Sequence, residues 1–151
     1  MKKGPLSHFH EPVRRWFEDS LGQPTRVQAL GWGPIAAGDS TLLLAPTGSG
    51  KTLAAFLAAI EKLMWSPEPP KRRGKSPVQA GVRVLYVSPL KALAVDVEKN
   101  LRAPLAGVLH VAQSMGVVVR TPTVSVRTGD TPQAERARML RHPPDILITT
   151  P

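Results

Sequence analysis

Ala45 to Thr52 read Ala-Pro-Thr-Gly-Ser-Gly-Lys-Thr. The apolar run Leu42-Leu43-Leu44 precedes them, and an amphipathic segment from Lys51 to about Met64 follows. A strand, a glycine-rich turn ending in Lys-Thr and a helix form the context in which such a turn holds a nucleoside triphosphate. Gly48 and Gly50 let the backbone bend so that successive N–H groups point inward at phosphate oxygens. The helix beginning near Lys51 adds the positive end of its dipole. Lys51 supplies a mobile charge for the β- and γ-phosphates, and the Thr52 hydroxyl is placed to ligate Mg²⁺. The first position is Ala45 where the general pattern has glycine. A chance surface turn with two glycines would not require these flanks.

The 151 residues suit one domain, and 42% apolar composition suffices for a core. The chain has no cysteine, which removes disulfides and thiolate metal sites and is compatible with a reducing cytoplasm, the expected location. Met1-Lys2-Lys3 leads into Gly4, Pro5, Ser7 and His8 rather than an apolar stretch, so no secretory signal is expected. The longest run without formal charge, residues 103–119, is too short and polar for a membrane span. A net charge of +9 favours polyanionic partners through counterion release, although a basic surface also merely solubilises.

Phe9, Val13, Trp16 and Phe17 fall at helical spacing, and Gly22 ends that segment. Residues 1–22 are therefore expected to form a helical lead-in that docks on the main body, residues 23–151. Pro24 and Thr25 start a second helix, with Gln28 one turn inside it. A carboxamide pairs in both directions with an adenine edge, so Gln28 is a candidate base reader, although a lone glutamine is usually only solvated. Leu53, Phe56, Leu57, Ile60, Leu63 and Met64 make a helical stripe for packing on a sheet. Residues 66–80 carry four prolines and the cluster Lys71-Arg72-Arg73-Gly74-Lys75, and read as a flexible basic loop.

Strands are expected at Thr41–Leu44, Val82–Val87, Thr123–Arg127 and Asp145–Ile148. The second reads as a strand covered on both faces. Ser88 is expected to cap the helix after it, with Lys91 in the first turn, and two helical segments broken near Pro104 and Gly107 run to about Met115. Asp130 or Thr131 caps a later helix with Pro132 at its first position. The alternation β-α-β-α-β-α-β implies parallel pairing, and such folds bind ligands at the carboxyl ends of their strands. His8, His10, His110 and His142 show no metal-ligand spacing.

Five motifs occur in order: Pro24-Thr25-x-x-Gln28, Ala45 to Thr52, Ser88-Pro89-Leu90-Lys91-Ala92-Leu93, Arg127-Thr128-Gly129-Asp130-Thr131, and Ile148-Thr149-Thr150-Pro151. With them the chain resembles the first motor domain of superfamily 2 DEAD/DEAH-type helicases, and within these the Lhr (large helicase-related) group, from about Phe9 to Pro151. The resemblance implies an α/β, RecA-like P-loop NTPase fold, a mostly parallel sheet flanked by helices, truncated before the Walker B strand. It implies ATP and Mg²⁺ as cofactors and an ATP-dependent helicase, in DNA repair, as the parent protein. Gln28 looks like the adenine reader, with an upstream aromatic such as Phe9 on the base, and Ala45, Pro46, Thr47, Gly48, Ser49, Gly50, Lys51 and Thr52 like the triphosphate and Mg²⁺ site, Lys51 and Thr52 serving catalysis. Ser88, Pro89, Leu90, Lys91, Arg127, Thr128, Gly129, Asp130, Thr149 and Thr150 look like loops that grip a nucleic-acid backbone, single-stranded DNA first and RNA or a hybrid as alternatives.

The family's carboxylate motif and second motor domain are absent from the 151 residues. The two strands that would join the phosphate-loop strand to the Val82–Val87 strand are expected to lie in that missing part. The chain alone is accordingly expected to bind nucleotide without turning it over and to expose apolar strand edges. A different phosphate-loop protein, such as a small-molecule kinase or transporter ATPase, would leave Gln28 and the strand-end loops as coincidences.

Overall fold

The computed structural model describes residues 4–67 and 81–151. The basic cluster Lys71 to Lys75 lies outside the described residues, as does most of the expected 66–80 loop. A 3-10 turn at Pro5–His8 is followed by α1 (Glu11–Leu21), α2 (Arg26–Ala37), α3 (Lys51–Met64), β1 (Val84–Val87), α4 (Lys91–Ser114), β2 (Val124–Arg127), α5 (Gln133–Arg141) and β3 (Ile146–Thr149). The strands form a parallel sheet in the order β1-β3-β2, with Val84 and Val124 both aligned on Ile146.

The core follows from the sequence stripes. One sheet face presents Val84, Tyr86, Val124, Val126, Ile146 and Ile148 to the hydrophobic cluster. Helix α3 buries Phe56, Leu57, Ile60, Leu63 and Met64, and α4 buries Val97, Leu101 and Val108. The lead-in joins the same cluster through Phe9, Val13 and Phe17. Trp32 of α2 is its hub. Phe9 and Phe17 meet the indole edge-on at 4.9 and 5.4 Å, and its Nε1 donates to the Ala54 carbonyl at 3.0 Å, so the ring is buried with its one polar atom satisfied. Phe9 is thus a core residue, which removes it as the ring that stacks on a nucleotide base.

A carboxylate pins the sheet at its amino-terminal edge. Asp145, 4% exposed, accepts from the Arg120 guanidinium, from the Thr123 amide at 2.8 Å and from the Thr123 hydroxyl at 3.0 Å. Burial pushes this carboxyl up, but the hydrogen bonds from Arg120 and Thr123 together outweigh it, and its pKa lies below the usual carboxylate value. The ionised form holds the starts of β2 and β3 together.

Four further expectations about the elements themselves are corrected. Thr41–Leu44 is not a strand: no neighbour among the described residues lends it a ladder, and Leu42 and Leu44 stand 80% and 82% exposed. β1 is covered on one face only, with Leu85 and Val87 more than half exposed. Pro104 does not break α4, which runs unbroken from Lys91 to Ser114; the buried ring costs one backbone hydrogen bond, to the carbonyl four residues earlier, and packing outweighs it. Pro132 is the N-cap of α5 rather than its first helical residue. Among the described residues, no helix is long and apolar enough to cross a membrane.

Candidate nucleotide and nucleic-acid site

The phosphate loop is built by two positive-φ glycines. Gly48 has φ +81° and Gly50, the N-cap of α3, has φ +86°. L-residues pay steeply for this region. At Gly50 space is restrictive as well: a Cβ there would lie 2.4 Å from Gln28 Nε2. The carboxamide reaches the loop because Thr25 and Gln28 form a capping box at the start of α2, in which Gln28 Oε1 accepts from the Thr25 amide at 2.9 Å. Gln28 Nε2 then donates to the Gly50 carbonyl at 3.3 Å, and the Thr25 hydroxyl donates to the Ser49 carbonyl at 2.8 Å. Gln28 is 3% exposed, so its side chain braces the loop from within.

Lys51 folds its ammonium back across the loop. It donates to the Ala45 carbonyl and, at 2.7 Å, to the Pro46 carbonyl. The Ser49 hydroxyl is buried in the loop without a protein partner. Thr47, Gly48, Gly50, Lys51 and Thr52 line one side of a cleft of about 450 Å³; α4 closes the other with Val97, Asn100, Leu101 and Pro104. These features fit a triphosphate: two positive-φ glycines, an orphaned hydroxyl, a lysine ammonium lying across the loop and the amino end of a 14-residue helix. Thr52 lines the cleft and is exposed at the helix start, and its hydroxyl is an oxygen of the kind that Mg²⁺ takes. No carboxylate lines this cleft, and no group of three or more His, Asp or Glu suited to a metal occurs among the described residues.

The loops after the three strands meet at the opposite end of the sheet from Asp145, and they are cross-linked. The Ser88 amide donates to the Thr149 carbonyl at 2.8 Å, and the Thr149 hydroxyl donates to the Arg127 carbonyl at 2.8 Å. Lys91, at the start of α4, forms an ion pair with Asp130, in the loop after β2. Ser88 is fully buried and donates to the Leu90 carbonyl at 3.0 Å; Leu90 is the N-cap of α4, so Ser88 shapes the turn instead of capping the helix. Thr131 likewise receives the Thr128 amide at 2.8 Å and closes its own turn. Pro89, Leu90, Lys91, Arg127, Gly129 and Asp130 are exposed at this rim, with Thr128, Thr149 and Thr150 half-buried beside them. Helix α4 serves both regions. Lys91 stands at the rim and Asn100 at the phosphate-loop cleft, ~14 Å further along at 1.5 Å per residue. Sequence reasoning missed Arg136, which holds the Thr128–Thr131 turn, because nothing in an arginine's spacing says that it will bind carbonyls.

Residues 25–151 match the DEAD/DEAH box helicase family. The chain belongs to that family. Several of the relatives it matches over nearly its whole length are Lhr proteins. It is 51% identical over 97% of its length to the Lhr helicase/probable uracil glycosylase of Mycolicibacterium smegmatis, and 41% identical over 95% to the ATP-dependent helicase Lhr-Core of Methanocaldococcus jannaschii. It superposes on the structure of Mycobacterium smegmatis helicase Lhr bound to ssDNA and AMP-PNP with a TM-score of 0.85, at 50% identity over 98% of the chain. The chain spans 9% of the first relative, 16% of the second and 18% of the superposed helicase chain. The parallel sheet and its flanking helices are thus part of a RecA-like helicase domain.

Proposed function

We propose that this chain forms the phosphate-binding side of the ATP site, and the strand-gripping rim beside it, in an ATP-dependent DNA helicase of the Lhr group that works in cytoplasmic DNA repair. The observation that carries the reading is the bracing of the phosphate loop by Gln28: a buried carboxamide and the loop lysine are both hydrogen-bonded to backbone carbonyls of the glycine turn. Bound ATP with Mg²⁺ supplies the phosphoanhydride whose cleavage drives such motors. The chain's own residues do the rest. Loop amides and Lys51 bind phosphate oxygens, Thr52 offers its hydroxyl to the metal, and Gln28 offers the adenine edge a donor while keeping its grip on Gly50. The exposed residues of the rim grip a phosphodiester backbone without reading bases, which suits movement along any sequence. Single-stranded DNA is favoured as substrate because the 50%-identical helicase is described bound to it. Repair is supported by the pairing of helicase with uracil glycosylase in the relatives' names.

In fluorescence titrations of the full-length helicase with mant-ATP and mant-GTP, Gln28→Ala is expected to weaken ATP binding and flatten the preference for adenine. An unchanged preference would remove Gln28 as base reader. A second reading concerns the chain by itself and is supported by the lack of a carboxylate among the described residues that line the cleft. Residues 1–151 bind nucleotide but do not hydrolyse it, and turnover by the purified chain that Lys51→Ala abolishes would contradict this.

A further inference from the structure

Arg136 directs all three of its side-chain hydrogen bonds at a single rim loop. It stands in the first turns of α5, a helix with no buried residue, so packing does not explain where it points. Its Nε donates to the Thr131 carbonyl at 2.8 Å, and its Nη2 donates to the Gly129 carbonyl at 2.7 Å and to the Thr128 carbonyl at 3.1 Å. Three of the five guanidinium N–H groups are thereby committed to three carbonyls of one turn. A lysine could not do this, because a compact ammonium lacks the planar fork that spans several carbonyls. Drawing the carbonyls of 128, 129 and 131 toward α5 fixes the loop's shape and with it the place of Asp130, which meets Lys91 across the rim. Arg136 also brings positive charge to the inner side of a turn whose outer side is exposed.

From this we infer that Arg136 is a positioning residue for nucleic-acid binding: it holds the Thr128–Thr131 turn, and through Asp130 the Lys91 ammonium, in the arrangement that receives a phosphodiester backbone. The inference rests on the strand-gripping role proposed above for that rim. Arg136 acts through the turn and makes no phosphate contact of its own. That distinction is measurable, because each lost phosphate contact to a single strand lowers the slope of log affinity against log salt by about 0.7, whereas a lost positioning residue weakens binding at constant slope.

The test uses the full-length helicase, a fluorescein-labelled oligo(dT) and anisotropy titrations from low to moderate salt, with mant-ATP binding as the check on folding. Arg136→Ala is expected to weaken oligo(dT) binding roughly tenfold, with the salt slope and mant-ATP affinity unchanged. Arg136→Lys, which keeps the charge, is expected to be no better than Arg136→Ala. A slope reduced by about 0.7 in Arg136→Ala and restored in Arg136→Lys would overturn the inference in favour of a direct phosphate contact. Wild-type affinity in both variants would overturn it outright. If Arg136→Ala loses mant-ATP binding as well, Arg136→Lys alone decides: wild-type oligo(dT) affinity refutes positioning by the fork, and weakened affinity at constant slope supports it. Lys91→Ala separates this failure from that of the underlying reading: if it too leaves oligo(dT) binding untouched, the rim is not the grip.

Discussion

Gly50→Ala tests whether the phosphate loop and Gln28 act as one unit. At φ +86° an alanine costs about 1–2 kcal/mol relative to glycine. The added Cβ would also stand 2.4 Å from Gln28 Nε2 and 3.1 Å from its Cδ. The carboxamide must therefore leave the Gly50 carbonyl, forfeiting a hydrogen bond that contributes about 0.5–1.5 kcal/mol. Together these disfavour the phosphate-ready loop by ~1.5–3.5 kcal/mol, which corresponds to a ~10- to ~300-fold loss of nucleotide affinity. The assay is a mant-ATP titration of the full-length helicase. Gly38→Ala is the control. It has the same φ of +86°, at the end of α2, but a Cβ there meets nothing within 4 Å. It should lower stability through backbone strain and leave nucleotide affinity alone. Wild-type affinity in Gly50→Ala, or equal losses in both variants, would refute the coupling.

Three further outcomes follow from the packing. Asp145→Asn leaves the Arg120 guanidinium, 16% exposed, without its counter-charge and should cost about 3–5 kcal/mol, read as a melting point lower by ~6–20 °C. Because the folded pKa of Asp145 is lowered, its stabilisation is complete above the unfolded carboxylate value near 4 and is lost as pH falls through the folded value, so wild type and variant should converge in acid; a constant gap down to pH 2 would contradict the assignment. Gly107→Ala places a Cβ 2.0 Å from the Trp16 indole nitrogen and should destabilise the α1–α4 packing by about 1–3 kcal/mol in urea unfolding, although alanine is the better helix former; a stabilised variant would show that the indole moves aside freely.

Much of this was legible because local patterns reported on local structure. The 3.6-residue stripe from Leu53 to Met64 became the buried face of α3, and the strands expected at 82–87, 123–127 and 145–148 formed within one or two residues of those bounds. Spacing also placed Gln28 one turn inside the helix that Thr25 starts, although the capping box between them emerged only in the structure. What stayed illegible depends on partners distant in sequence. Leu42-Leu43-Leu44 has strand composition, but a ladder needs a neighbour, and no pattern within the run says whether one stands beside it. Phe9 was a candidate stacking ring as well as part of the docking stripe, and its edge-on contact with Trp32 puts it in the core. The Arg120–Asp145 pair bridges 25 residues, and Arg136 reads as one of several solvated arginines until its carbonyl partners are seen. The Pro104 signal was real, yet burial outweighed one missing backbone bond.

The Ala45–Thr52 loop is proposed above as the phosphate grip of a nucleic-acid motor. The most direct measurement is strand separation of a forked DNA duplex by the full-length helicase, wild type against Lys51→Ala, with oligo(dT) binding recorded in parallel. Removing the ammonium that now lies on the Ala45 and Pro46 carbonyls should abolish ATP-driven unwinding and leave oligo(dT) affinity without nucleotide intact. Undiminished unwinding by Lys51→Ala would show that the loop is not the phosphate grip.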